Sequence, residues 1–390
     1  LVGGFVRDYL LQRGINDIDL TLRGNPEYYA RLLAGNLKGS LFGFKKEGVQ
    51  RGEVYTVLIP FEGKKVRVDL SAFETLAEDL AHRDFTVNAM AWRLSDFPDK
   101  TKIVDPFGGL RDLRRGIIRA VSPEVLEEDP LRMLRAYRIA QGLDFEIEPA
   151  TREFIRQRGE LVKTVATERV LNELLKIFAQ RETPKTLSLI REDSFDRHLF
   201  GFKISQSSLK GVELFETLLK EGFTENLKRE LGFGERTFLG EFDTDTLLKL
   251  AVFLYPSRRW EEFLKLYPLG EDASKFLKNS LEGFESLLKN PPEDLGEKHR
   301  YLKRFSKYLY PIGVLSKIYG NYGRFEELKN FYKRWRKFSK PLLDGREVMN
   351  LLGLKPSPLV GELLEKLVLA QLRGEVSTPQ EAKKFLKKAL

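Results

Sequence analysis

The sequence predicts an α+β head, a mixed sheet with helices, followed by an elongated all-α body and tail. Three observations carry this. Residues 1 to 121 alternate strand-like and helix-like runs, and beyond Asp144 helical periodicity takes over. The chain's 390 residues exceed what one ordinary core organises, so it should divide into roughly two to four domains. The expected boundaries are 1–121 for the head, 122–180 for a helical neck, 181–295 for a helical body and 296–390 for a helical tail.

Composition narrows the chemistry before any motif is read. The chain has no cysteine, which excludes a disulfide partner and thiolate zinc sites. Its three histidines, His82, His198 and His299, are too scattered for a histidine-built metal centre, so a catalytic metal would sit on carboxylates. No apolar run reaches the roughly 20 residues that span a bilayer, and no signal-like segment opens the chain. A cytoplasmic protein with no membrane partner is expected. The net charge of +9 favours a polyanionic partner.

Taking the head in order, Leu1 to Leu22 places a glycine pair at the start of a short helix and then Asp17 and Asp19 on a strand. Strand alternation puts both carboxylates on one face and Ile18 and Leu20 on the other. Two carboxylates so held form a hard oxygen pair suited to Mg²⁺, and the glycines would leave backbone N–H groups free for phosphate. The same pattern also fits a solvated Asp-x-Asp beside an ordinary turn. Asn25-Pro26 reads as the N-cap and first turn of a helix with Tyr29, Leu32 and Leu33 on one side.

Val54 to Phe61 and Lys65 to Leu70 read as strands joined by a Glu62-Gly63 hairpin turn. In the second strand Val66, Val68 and Leu70 share one face and Arg67 and Asp69 the other, so Asp69 can stand beside Asp17 and Asp19. A third carboxylate there is what a two-metal site needs. Glu78 to Arg93 is expected to form one helix, with Phe85, Ala89 and Trp92 toward the core and Arg83, Asp84 and Asn88 projecting nearby. Ile103-Val104 and Ile117 to Val121 read as strands around the Asp105 to Gly109 loop.

Pro130 suits a first helical turn, so Asp129 is expected to cap a helix over about Pro130 to Gln141, with Arg132 on the same side one turn on. An Asp acceptor beside an Arg donor complements an amino group next to an unprotonated ring nitrogen. Adenine and cytosine present that edge; guanine and uracil present the reverse. An N-cap Asp with a local ion pair is the plainer account of the same residues.

Further on, Thr151–Glu160, Thr167–Gln180, Leu209–Glu221, Thr244–Leu254, Arg259–Leu266 and Ala273–Lys289 read as amphipathic helices. Lys298–Tyr310 and Asn330–Lys340 interleave Lys and Arg with Tyr, Phe and Trp. Such helices suit a sugar-phosphate surface, and equally suit an aromatic core stripe backed by a solvated basic face.

The pieces GGFVRD with Asp17-x-Asp19, HRDFTVNAMAW, DPFGGLRDLRRGIIRAV, EEDPLRMLRAYRIA and TERVLNELLKIF resemble, in sequence and order, the five motifs of class II CCA-adding tRNA nucleotidyltransferases and their bacterial poly(A) polymerase relatives. The resemblance covers residues 1 to about 180 and implies a DNA polymerase beta-type nucleotidyltransferase head, a base-recognition neck and an RNA-binding tail. It implies Asp17 and Asp19 as metal ligands for two Mg²⁺ ions, with Asp69 in the place of the third carboxylate. Gly3, Gly4, Arg7 and Asp8 match the phosphate-binding segment, Arg83 and Asp84 the ribose-linked motif with Asn88 close to the nucleotide, and Asp129 and Arg132 the base-reading pair. Glu168 and Arg169 match a structural brace. His82 stands where the family usually has Arg.

The implied activity is template-independent addition of the terminal A of the 3′ CCA end of tRNA from ATP, releasing pyrophosphate, with addition of C from CTP left open beside it. The tRNA would be held at acceptor end and elbow. The segment between Asp69 and Arg83 is shorter than in members that complete CCA, which points either to partial addition or to a loop absent from this sequence, and the overall similarity leans toward the A-adding kind. The start at Leu1, inside what the family would make a strand, suits a core trimmed from a longer protein. A bacterial poly(A) polymerase and a catalytically silent RNA-binding scaffold are the rival readings.

Overall fold

Gly3, at φ 67°, turns the chain out of a short bridge between Val2 and Ala91 and into helix α1 (Gly4–Leu10). A left-handed backbone favours glycine at that turn. The structure, a computed structural model, describes residues 1–15, 17–44 and 54–389. It divides into two units, Leu1–Ile204 and Ser205–Leu390.

In the first unit α1 leads to β1 (Asp17–Leu22), α2 (Pro26–Leu37), β2 (Ser40–Phe44), β3 (Val54–Phe61) and β4 (Lys64–Ala72). The strands form one mixed sheet in the order β1-β4-β3-β2. β1 runs parallel to β4, and β4, β3 and β2 are antiparallel. Glu62 and Gly63, both at positive φ, make the two-residue turn that the hairpin requires. Asn25 caps α2 as its sequence indicates, accepting from the Glu27 and Tyr28 N–H groups. The buried face of α2 is nevertheless Ala30 with Leu33 and Ala34, against Tyr55, Val57, Val68 and Leu70. Tyr29 and Leu32 are exposed, because small residues allow the helix to approach the sheet.

The single helix expected over Glu78–Arg93 is not formed. Helix α3 (Leu76–Ala81) stops at His82, one 3₁₀ turn covers Thr86–Asn88, and Ala91 bridges to Val2 and Val104. Every residue from Phe85 to Trp92 is buried, and a one-faced helix cannot bury a continuous run. Val104 is limited to that bridge, and the expected strand near Ile117 shortens to β5 (Ile117–Ile118) after α4 (Gly109–Arg115).

Helices α5 (Pro123–Glu128) and α6 (Leu131–Leu143) follow, with Asp129 extended between them. The second starts one residue later than the proline signal suggests. β6 (Glu146–Ile147) pairs with β5, and α7 (Pro149–Arg158), α8 (Thr167–Ala179), α9 (Thr183–Glu192) and α10 (Asp196–Phe200) complete the unit.

The second unit is helical apart from a hairpin of β7 (Thr237–Phe238) and β8 (Phe242–Asp243). Its helices are α11 (Gln206–Lys220), α12 (Phe223–Leu231), α13 (Thr244–Leu254), α14 (Trp260–Leu266), α15 (Gly270–Lys289), α16 (Leu295–Phe305), α17 (Leu309–Tyr319), α18 (Tyr322–Phe338), α19 (Gly345–Leu352), α20 (Pro358–Arg373) and α21 (Pro379–Lys388). The observed architecture is thus an α+β head followed by a helical body. No helix among the described residues is long and apolar enough to cross a membrane.

Candidate active site

The parallel register of β1 and β4 sets Asp19 directly opposite Asp69 and Asp17 opposite Arg67. A one-residue slip would turn one carboxylate to the other face, so the buried side of the sheet, through Ile18, Leu20, Val68 and Leu70, fixes the polar side as well. Asp69 accepts from Thr56 Oγ1 at 2.6 Å and from Arg67 Nε at 3.0 Å. The carboxyl of Asp19 is pushed up from its ordinary range by burial; Arg83 pulls it down, Asp69 and Asp17 push it up, and the Gly4 backbone N–H donates to it.

Gly3 lies against the same carboxylate. A Cβ there would fall 2.7 Å from Arg83 Nη1 and 2.9 Å from Asp19 Oδ2. Arg83 is aimed by Asp79, one helical turn before it, which accepts from Nε at 3.1 Å and Nη2 at 3.0 Å. Position 3 thus has room only for a hydrogen.

The donor set fits a hard divalent cation. Three carboxylates share one sheet face, and the charge of Asp19 is opposed by burial and by its acidic neighbours. Among the described residues, the group of three acidic side chains with ligand oxygens within 4.8 Å of one another is a different one, Glu225, Glu235 and Asp245. Lys228 fills that cluster, donating to Glu225 at 2.9 Å, to Asp245 at 2.8 Å and to Glu235. Asp17, Asp19 and Asp69 do not form a group of that closeness.

A second line of contacts runs from the head into the helices behind it. Arg7 pairs with Asp8 through Nε and Nη2, both at 2.8 Å, and its Nη1 donates to Asn88 Oδ1 at 2.7 Å. Asn88 Nδ2 donates to Asp84 Oδ1 at 2.9 Å, which also takes the Phe85 N–H. The other oxygen of Asp84 takes Arg135 Nε at 3.0 Å and Nη2 at 2.6 Å. With four donors this buried carboxylate has its lone pairs engaged. Burial would raise its pKa, but the charge of Arg135, the bonds from Asn88 and Arg135 and the charge of Arg132 hold it well below the usual carboxylate range. Arg135 was not singled out by the sequence; its place three residues after Arg132, on the same helix side, is the signal that marks it.

The third group surrounds the α5–α6 corner. Asp129 Oδ1 accepts from the Leu131 N–H at 3.4 Å, and Oδ2 accepts from Arg169 Nη2 at 2.8 Å. Arg132 Nη1 donates to the Val125 carbonyl at 2.9 Å. His82 Nδ1 lies 3.0 Å from both oxygens of Glu128. Glu168, beside Arg169, is exposed. The structure therefore brings Gly3, Gly4, Asp19, Asp69 and Arg83 into one cluster, Arg7, Asp8, Asp84 and Asn88 into a second, and places Asp129 and Arg132 at a third.

Comparison with known proteins follows this division. A family model described as "Poly A polymerase head domain" matches residues 1–119, and one described as "Probable RNA and SrmB- binding site of polymerase A" matches residues 144–206. A CC-adding tRNA nucleotidyltransferase of Geobacter sulfurreducens is 31% identical over 419 residues, covering 99% of this chain and 91% of its own. An A-adding tRNA nucleotidyltransferase of Deinococcus radiodurans is 30% identical over 450 residues, covering 100% and 94%. The solved CCA-adding enzyme of Thermotoga maritima, complexed with tRNA, shares the fold at a TM-score of 0.67 and 24% identity, over 100% of this chain and 90% of that one. The chain belongs to the tRNA nucleotidyltransferase family, the nucleotidyl-transferring enzymes built on a poly A polymerase head.

Proposed function

We propose that the chain adds part of the CCA sequence to the 3′ end of tRNA without a template, taking C from CTP or A from ATP and releasing pyrophosphate. The observation that carries this is the Asp19–Asp69 register, which sets acidic side chains beside Gly3 and Arg83 at one end of a site. Asp129 and Arg132 form the other end.

Asp17, Asp19 and Asp69 would hold two Mg²⁺ ions, which when bound supply charge stabilisation for an in-line displacement. The chain's own residues do the rest. Arg67 is engaged by Asp69, while Arg83, beside Gly3 and Asp19, and Arg7, bonded to Asn88, are the cations that suit a triphosphate. Asn88 is held by Arg7 and Asp84 in one orientation. Asp129, as acceptor, and Arg132, as donor, favour the amino-beside-nitrogen edge that A and C share. The connection from β4 to α3 is only Phe73 to Thr75, in keeping with partial addition. Terminal A addition is the reading that the Deinococcus relative supports, and CC addition has like support from the Geobacter one.

The deciding experiment supplies tRNAs ending before CCA, after C and after CC with each NTP separately. An A-adding enzyme extends only the CC-ended tRNA, from ATP. A CC-adding one extends the first two, from CTP. Long tails on unrelated RNA would replace this reading with a poly(A) polymerase, and tRNA binding without incorporation would leave a scaffold. Near-wild-type incorporation by Asp19→Ala would remove the site assignment.

A further inference from the structure

Two ion pairs join α8 to the α5–α6 corner and its second helix, and they differ in kind. Arg138 Nε donates to Glu173 Oε2 at 2.5 Å, with the Glu173 side chain 6% exposed. Four residues earlier on α8, Arg169 Nη2 donates to Asp129 Oδ2 at 2.8 Å, with the Arg169 side chain 53% exposed. The first pair sets a buried Glu173 against a partly buried Arg138 and accompanies the buried Leu134, Leu171, Leu174 and Leu175. The second faces solvent.

An exposed ion pair adds only about 0–1 kcal/mol to stability. Holding the two helices together is therefore work for the Arg138–Glu173 pair and the apolar contacts, and bracing does not account for the position of Arg169. What the second pair does accomplish is geometric. Asp129 sits in extended backbone between two helices, and its side chain has no cap geometry stronger than the 3.4 Å contact from the Leu131 N–H. The Arg169 guanidinium is the charged group that fixes the second oxygen. A carboxylate held by both oxygens presents its remaining lone pairs in one plane, and base selection by hydrogen bonding needs that plane set before the base arrives.

We infer that Arg169 is a positioning residue for nucleotide choice: it orients the Asp129 carboxylate so that Asp129 and Arg132 together read one base edge. The inference rests on the base-reading role proposed above for that pair. Arg169 touches no base in this arrangement. Its effect passes through Asp129, so it should vanish when Asp129 is gone.

The test measures single-nucleotide incorporation into tRNA by the full chain with ATP, CTP, GTP and UTP in turn, for Arg169→Ala, Arg169→Lys, Asp129→Ala and the Asp129→Ala/Arg169→Ala pair. Arg169→Ala should narrow the ratio of favoured to disfavoured nucleotides by roughly tenfold, the scale of one charge-assisted hydrogen bond. The thermal midpoint should stay within about 2 °C of the parent, as an exposed site implies. Arg169→Lys should recover part of the ratio, since lysine restores charge without the planar fork. The double variant should discriminate no worse than Asp129→Ala alone. Discrimination unchanged in Arg169→Ala but lost in Asp129→Ala would overturn this inference and leave the base-reading model standing. Unchanged discrimination in Asp129→Ala would overturn both. A raised KM for tRNA with nucleotide choice intact would make Arg169 an RNA-backbone contact instead.

Discussion

At position 3 a Cβ would crowd Arg83 and Asp19 at once. Gly3→Ala would put a methyl group 2.7 Å from Arg83 Nη1 at a backbone angle that alanine resists. The expected outcome is a loss of incorporation of at least tenfold, with a smaller loss of stability of about 1 kcal/mol, measured by turnover beside thermal unfolding. The sequence showed the glycine pair as a source of backbone N–H groups for phosphate; the structure adds that Gly3 also lets Arg83 and Asp19 come close to the backbone. A spacing pattern marks a tight turn; it does not say which side chain folds back onto it. Arg135 and Asp79 escaped notice for a related reason, since each matters only through a partner that the linear order does not show.

Between elements, the joint from the buried run after α3 to the face of α6 runs through Asp84 and Arg135. Asp84 is 7% exposed, and removing either partner leaves the other charge without its counter-ion. Arg135→Ala should cost roughly 3 kcal/mol of unfolding free energy by denaturant titration. The same pair gives stability a dependence on acid. The folded-state pKa of Asp84 lies below its unfolded value, so its contribution is fully present above the ordinary carboxylate range. It is lost as pH falls below that range, because the unfolded chain then binds the proton first. Unfolding of the parent chain should steepen toward acid more than that of Asp84→Asn.

Elements with one clear face were legible in the sequence: the β3–β4 hairpin, the Asn25 cap and, to within one residue, the helix expected over Thr167–Gln180 stand where the residues put them. Glu78 to Arg93 was not legible. Its helical spacing is real, but residues buried on all sides erase the periodicity that would have separated helix from irregular chain.

For the molecule as a whole, charge and aromatic content separate in the second unit. On α16 the aromatics turn inward, with Tyr301 donating to the Gly283 carbonyl at 2.7 Å and Phe305 buried, while Lys303 and Arg304, and Lys307 in the turn that follows, are exposed. On α18 Trp335 Nε1 donates to His299 Nδ1 at 3.0 Å, and Lys333, Arg334, Arg336 and Lys337 face solvent. Of the two readings open for these helices, an aromatic core stripe backed by a solvated basic face describes the arrangement on α16, whereas on α18 exposed cations stand beside the exposed Phe338, so both readings hold there. Affinity for tRNA should then fall linearly, on logarithmic axes, with rising salt. Replacing Lys333, Arg334, Arg336 and Lys337 by Ala should flatten that slope by up to about 0.7–0.9 for each phosphate no longer neutralised, measured by titration at several salt concentrations. An unaltered slope would place the RNA surface elsewhere.

The parallel pairing of β1 with β4 also sets an order of assembly. The β3–β4 hairpin closes across two residues, Glu62 and Gly63, whereas Asp19 and Asp69 meet across about fifty residues of intervening chain. Loop-closure entropy grows with the logarithm of that separation, so the hairpin can form on its own while β1 must find an edge already built. Asp19 and Asp69 therefore face one another only once β1 has paired with β4, so the site and the long-range half of the sheet are completed by the same contact.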